Sequence, residues 1–162
     1  MLLILLLIVP IINGVPNVRT GYDGQYCYGG SYTILLNGSF WCRQNPHTPY
    51  NIELYQKIGE SGEKIDDHLP ISGTRNNELH YNKTFSYGNK DTKLSLHVSL
   101  HIQHSCDSLG RDGCSHLYVL KIPDANIYCN GSINPYYNFT AHLNEQQTGS
   151  NGGCPGELEM FI

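Results

Sequence analysis

Leu94-Ser-Leu-His-Val-Ser-Leu-His-Ile-Gln-His-Ser-Cys106 is the stretch that decides the fold. Its apolar residues stand at Leu94, Leu96, Val98, Leu100 and Ile102, with Ser95, His97, Ser99, His101 and Gln103 between them. Successive side chains of a strand point to opposite faces, so a period of two marks a strand with one face buried. A helix would set Leu94 and Leu96 about 200° apart and smear the apolar set round its cylinder. One-sided strands belong mostly to antiparallel sheets. The rest of the chain must then supply partner strands and a facing layer.

Upstream, Ile34, Leu36, Phe40 and Cys42 share one parity with Gly38 among them. That predicts a strand with a bulge or a close backbone approach at the glycine. Asn45-Pro-His-Thr-Pro49 is expected to end it, because proline cannot donate to a ladder. Residues 51–58 read as a strand with Ile52, Leu54 and Ile58 inward, and residues 59–64 as a polar loop. Residues 73–77 and 88–91 read as turns, with a further strand over 78–87 between them. Downstream, Tyr118, Leu120 and Ile122 align one face of a strand over 115–122, leaving Leu117 and Val119 on the other. Tyr137, Phe139, Ala141 and Leu143 align a last strand over 136–144. With no long amphipathic helix, about seven short strands predict an all-β fold, a two-sheet β-sandwich.

The 162 residues suit one domain with a real core. A net charge of −4 lacks the basic footprint of a nucleic-acid binder, so no nucleic-acid partner is expected. The apolar run over residues 1–12, followed by Asn13 and Gly14, is short for a bilayer span of ~20 residues. It reads as a signal peptide over 1–14, although no Lys or Arg precedes it. No integral membrane segment is expected after its removal, and the protein is expected to be secreted. Residues 15–31 then form an irregular Tyr/Gly-rich arm, 32–144 the sandwich domain and 145–162 a Gly-rich tail.

Export makes disulfides the default reading of Cys27, Cys42, Cys106, Cys114, Cys129 and Cys154. No closely spaced pair of the zinc type is present. Cys106 and Cys114 flank a seven-residue loop between two expected neighbours, so they are predicted to pair. Four sequons, at Asn37, Asn82, Asn130 and Asn138, are expected glycosylation sites.

The ordered set Ile34-Leu-Leu-Asn-Gly-Ser-Phe-Trp-Cys42, Ile52-Glu-Leu-Tyr-Gln-Lys57, Asp66-Asp-His-Leu69, His104-Ser-Cys106, Cys114, Leu120-Lys-Ile-Pro-Asp124 and Tyr137-Asn-Phe-Thr-Ala-His-Leu143 resembles the nematode transthyretin-like family. The resemblance spans roughly residues 32–144. It implies a transthyretin-like Greek-key sandwich and extracellular residence. Most members have no assigned activity, and some are understood as bridging proteins that bind phosphatidylserine and a cell-surface receptor. Where the family has an Asn-Gly-Glu-Phe-like turn this chain reads Asn76-Asn-Glu-Leu79. Cys27, Cys129, Cys154, the arm and the tail look additional.

The same fold hosts 5-hydroxyisourate hydrolase, which ends in Tyr-Arg-Gly-Ser. This sequence ends Gly156-Glu-Leu-Glu-Met-Phe-Ile162, so no enzyme activity and no catalytic residue is expected. Of the eight histidines, His97 and His101 share a strand face but lie ~13 Å apart, too far for one ion at ~2.1 Å from each. A cross-strand histidine cluster stays open, but no metal and no cofactor is expected. Leu117, Val119 and Trp41 face away from the core side of their strands, either as a contact surface or beneath the arm or tail. The expected function is extracellular binding or bridging of a protein, a lipid headgroup or a small apolar ligand. An oligomeric carrier of a small hydrophobic ligand is the alternative, and an isourate-type hydrolase is disfavoured.

Overall fold

The computed structural model describes Cys27 and residues 30–86, 95–106, 115–129 and 135–145. The expected signal peptide, most of the arm and the tail beyond residue 145 lie outside the described residues, as do Leu94, Cys114, Asn130, Cys154 and the turn expected at 88–91.

Among the described residues ten strands follow one another: β1 Ser31–Cys42, β2 Asn45–Pro46, β3 Asn51–Ile58, β4 Ser61–Asp66, β5 Ile71–Ser72, β6 Glu78–Ser86, β7 Leu96–His104, β8 His116–Lys121, β9 Ile127–Cys129 and β10 Tyr137–His142. Seven of them are long enough to carry the layers. One sheet runs β10-β1-β6-β5, with β2 and β9 also on β1, and the other runs β4-β3-β7-β8. Every pairing is antiparallel except β1 with β10, which run parallel. The protein is an all-β sandwich of two sheets.

The alternation that opens the argument is the alternation observed. Along β7, Leu96, Val98, Leu100 and Ile102 are buried, and His97, Ser99, His101 and Gln103 are half-buried on the other face. Ile52 and Leu54 of β3 lie against that inward row, and Ile34, Leu36, Phe40, Leu79 and Ala141 face it from the other sheet. One buried polar pair joins the layers: the Tyr32 hydroxyl donates to Gln56 Oε1 at 2.7 Å. Gly38 does mark a close approach. A Cβ there would meet the Phe139 ring at 2.1 Å, because Gly38 and Phe139 are register partners on the inward face of β1 and β10.

Two expectations are corrected. Residues 59–64 are no loop: Gly59, at φ 61°, turns the chain and β4 returns along the edge of β3. Both faces of β4 are polar or exposed at its start, so no period of two is there to read. Cys106 does not pair with Cys114, because its sulfur is bonded to Cys42. The loop argument weighed only distance along the chain. Cys106 points into the core, and what faces it there is the end of β1 in the opposite sheet, at Cα–Cα 5.6 Å. Cys27 bonds Cys129, tying the chain ahead of β1 to β9 beside it.

Candidate functional site

The outward row of β7 meets its neighbours in a fixed register. Lys57 lies beside His97, Tyr55 and Lys121 lie on either side of Ser99, and Glu53 and Val119 lie on either side of His101. Ser99 is thus a small side chain ringed by large ones: Tyr55, Lys121, His97 and His101. At the edge, Gly62 of β4 stands opposite Lys57. These two small residues leave a hollow of about 470 Å³ on the outer face of the β4-β3-β7-β8 sheet. That volume is in the range of small-ligand sites, ~300–1,000 Å³.

Tyr55 and His101 stack at 4.0 Å between ring centroids, 20° from parallel. Both also line a second hollow of about 240 Å³ with Glu53, Gln103 and Leu117, so the stack forms the wall between the two. Burial raises the Tyr55 hydroxyl, and the bond it donates to Glu53 at 3.1 Å adds to this. Burial lowers His101, against the charge of Glu53. Both rings are therefore neutral near pH 7. Glu53 is engaged by Lys64 at 3.1 Å as well. Lys57 and Lys121, at the rim of the larger hollow, have no ion-pair partner among the described residues. The hollow thus offers carbon walls, a stacked aromatic pair and two uncommitted ammonium groups.

No family model matches the chain, and neither the characterised proteins nor the solved structures contain a match to it.

The residues singled out from the sequence do not gather at one place. His97 and His101 face the large hollow, and Leu117 and Val119 lie half-buried on the same sheet face, as their parity requires. Trp41 faces outward on the opposite sheet beside His142, with Nε1 donating to Ser39 Oγ at 3.1 Å. Asn37, Asn82 and Asn138 are also on that sheet and are exposed. Lys57, Tyr55, Gly62 and Lys121 have no distinguishing pattern in the sequence. The one signal for them was a small serine in the middle of a row of large polar residues.

His104, on the inward face of β7, packs between His47 and His116, with ring centroids at 6.3 and 5.7 Å. Its Nδ1 accepts the Cys106 backbone N–H at 3.1 Å, so its proton rides on Nε2. The Nε2 atoms of all three rings are buried without a partner among the described residues. No three His, Cys, Asp or Glu side chains among the described residues are gathered for a metal ion. Burial pushes His104 down to about 4, and His116 and then His47 add to this. The unfolded chain takes up a proton below its ordinary value of about 6.5, whereas the fold resists until about pH 4. The stability that neutral His104 contributes is therefore whole above about pH 6.5 and is lost as pH falls from there through pH 4. Allowing for solvent screening, the loss should be about 1–2 kcal/mol. Thermal melts across this window should drop more steeply for the native chain than for His104→Leu, and parallel curves would refute the assignment.

Proposed function

We propose that this is a secreted, non-enzymatic transthyretin-like protein that binds a small amphipathic anion on the outer face of its β4-β3-β7-β8 sheet. The observation that carries this is the hollow over Ser99, walled by the Tyr55–His101 stack and rimmed by Lys57 and Lys121. Its walls take an apolar body, and the lysines take a carboxylate, sulfonate or phosphate. Two disulfides support an oxidising, extracellular setting. The sequence resemblance and the two-sheet sandwich support the transthyretin-like assignment.

The test is a fluorescence titration with 8-anilinonaphthalene-1-sulfonate, an apolar body with one anionic group. Saturable binding at one site is expected. Ser99→Tyr fills the hollow from an outward position and should weaken binding at least about ten-fold, since a site already full forfeits the burial of the probe's rings. Lys57→Glu with Lys121→Glu should weaken it further as salt is lowered. Equal affinity in all variants would remove the reading. Glycerophosphoserine, a headgroup without chains, separates headgroup recognition from an apolar ligand by whether it competes. The alternative of an oligomeric carrier has less support: among the described residues only Tyr50 is an exposed large hydrophobic, whereas permanent dimers bury apolar cores. Light scattering that finds a stable oligomer would favour the carrier.

A further inference from the structure

Resting on the reading that the chain is exported, we infer that Asn37 and Asn138 form a single shared glycan site, in which sugar on Asn37 excludes sugar on Asn138. The parallel pairing of β1 and β10 lays two sequons side by side, residue against residue: Asn37 against Asn138, Gly38 against Phe139, Ser39 against Thr140. Both asparagines are exposed on the outward face. Asn37 Nδ2 donates to Asn138 Oδ1 at 2.8 Å, and Ser39 Oγ donates to Thr140 Oγ1 at 3.4 Å. Neighbouring strands are only ~4.8 Å apart. An N-acetylhexosamine ring with its acetamido arm is wider than that, and two such rings rooted on adjacent amides would claim the same space. A single polar hollow of about 500 Å³ lies over these two tripeptides, with Glu78 at its rim. It seats one first sugar.

Chain order decides which asparagine wins. β1 is synthesised before β10, so Asn37 meets the transferase first. When β10 later docks beside β1, the sugar already on Asn37 covers Asn138. Asn82 is the internal reference. It faces outward on β6, diagonal to Asn37 across the β1–β6 register, where side chains stand ~7–8 Å apart and both can be modified.

The full chain, secreted from a eukaryotic cell line, is mapped by glycosidase release in heavy-oxygen water and by intact mass. Molecules carrying sugar on both Asn37 and Asn138 should be under about a tenth of the total, with Asn82 occupied independently. Asn37→Gln and Ser39→Ala each destroy the first sequon by a different route. Each should raise occupancy of Asn138 at least about three-fold and leave Asn82 unchanged. Thr140→Ala should leave Asn37 unchanged. Double occupancy equal to the product of the single occupancies, or no rise at Asn138 in either variant, overturns the inference while sugar on Asn82 upholds export. Absence of sugar at every sequon overturns both.

Discussion

Val98→Asp is expected to abolish the folded state, and Ser99→Asp, one residue along, to leave it intact. Val98 is 1% exposed in the middle of β7, and its carbonyl accepts the Ile122 N–H at 2.9 Å. An aspartate there would sit in the apolar layer between the sheets. Leaving a buried charge unpaired costs several kcal/mol, a large part of a domain's whole margin of ~5–15 kcal/mol. Ser99 points the other way, into the hollow between Tyr55 and Lys121. Outward substitutions usually stay within ~0.5 kcal/mol. Secreted yield and cooperative melting should therefore collapse for the first variant and survive for the second. Ser99→Asp should at the same time repel the sulfonate probe, folding normally but binding poorly. Equal damage from both substitutions would mean that the outer face of this sheet is covered.

Removing the Cys42–Cys106 bridge should be nearly as costly. The bond closes a loop with a sequence separation of 64 residues, and the chain-entropy argument assigns such a loop about 4 kcal/mol. Both cysteines are replaced together by alanine so that no lone thiol is left in the core. The double variant should melt many degrees lower, and the native chain should show the same drop on reduction. A melting midpoint unchanged by the double substitution would mean the bridge contributes nothing beyond the packing around it.

The layers were legible where one face of a strand is wet. β7 and β3 announce themselves because buried and half-buried positions alternate along them, whereas along β8 Tyr118 and Leu120 of the expected inward row are half-buried, as Leu117 and Val119 are on the other face. β4 was not legible. It is an edge strand whose Glu63 turns towards Gln56 rather than into apolar surroundings, so hydrophobicity carries no trace of it. β9 has only three residues, too few for any period. The bridges escaped because Cys42–Cys106 joins strand ends of opposite sheets and Cys27–Cys129 depends on β9 pairing beside β1, both properties of the assembled layers. The hollow was half legible. Parity placed His97, Ser99 and His101 on one outward row, but only the cross-strand register puts Tyr55 and Lys121 beside Ser99 and Gly62 at the edge.

Both bridges join the same two parts of the chain. Cys27 and Cys42 flank β1, and their partners Cys129 and Cys106 lie far downstream. Any single cut between residues 43 and 105 therefore yields two pieces still fastened to each other twice. The turn at residues 73–77, exposed except at Asn77 and entered by Gly73 at φ 88°, is a natural point for a protease to act. A molecule nicked there would keep both sheets and run as one species until reductant is added. Wherever a protease reaches that turn under oxidising conditions, being cut and being destroyed would then be separate events for this protein.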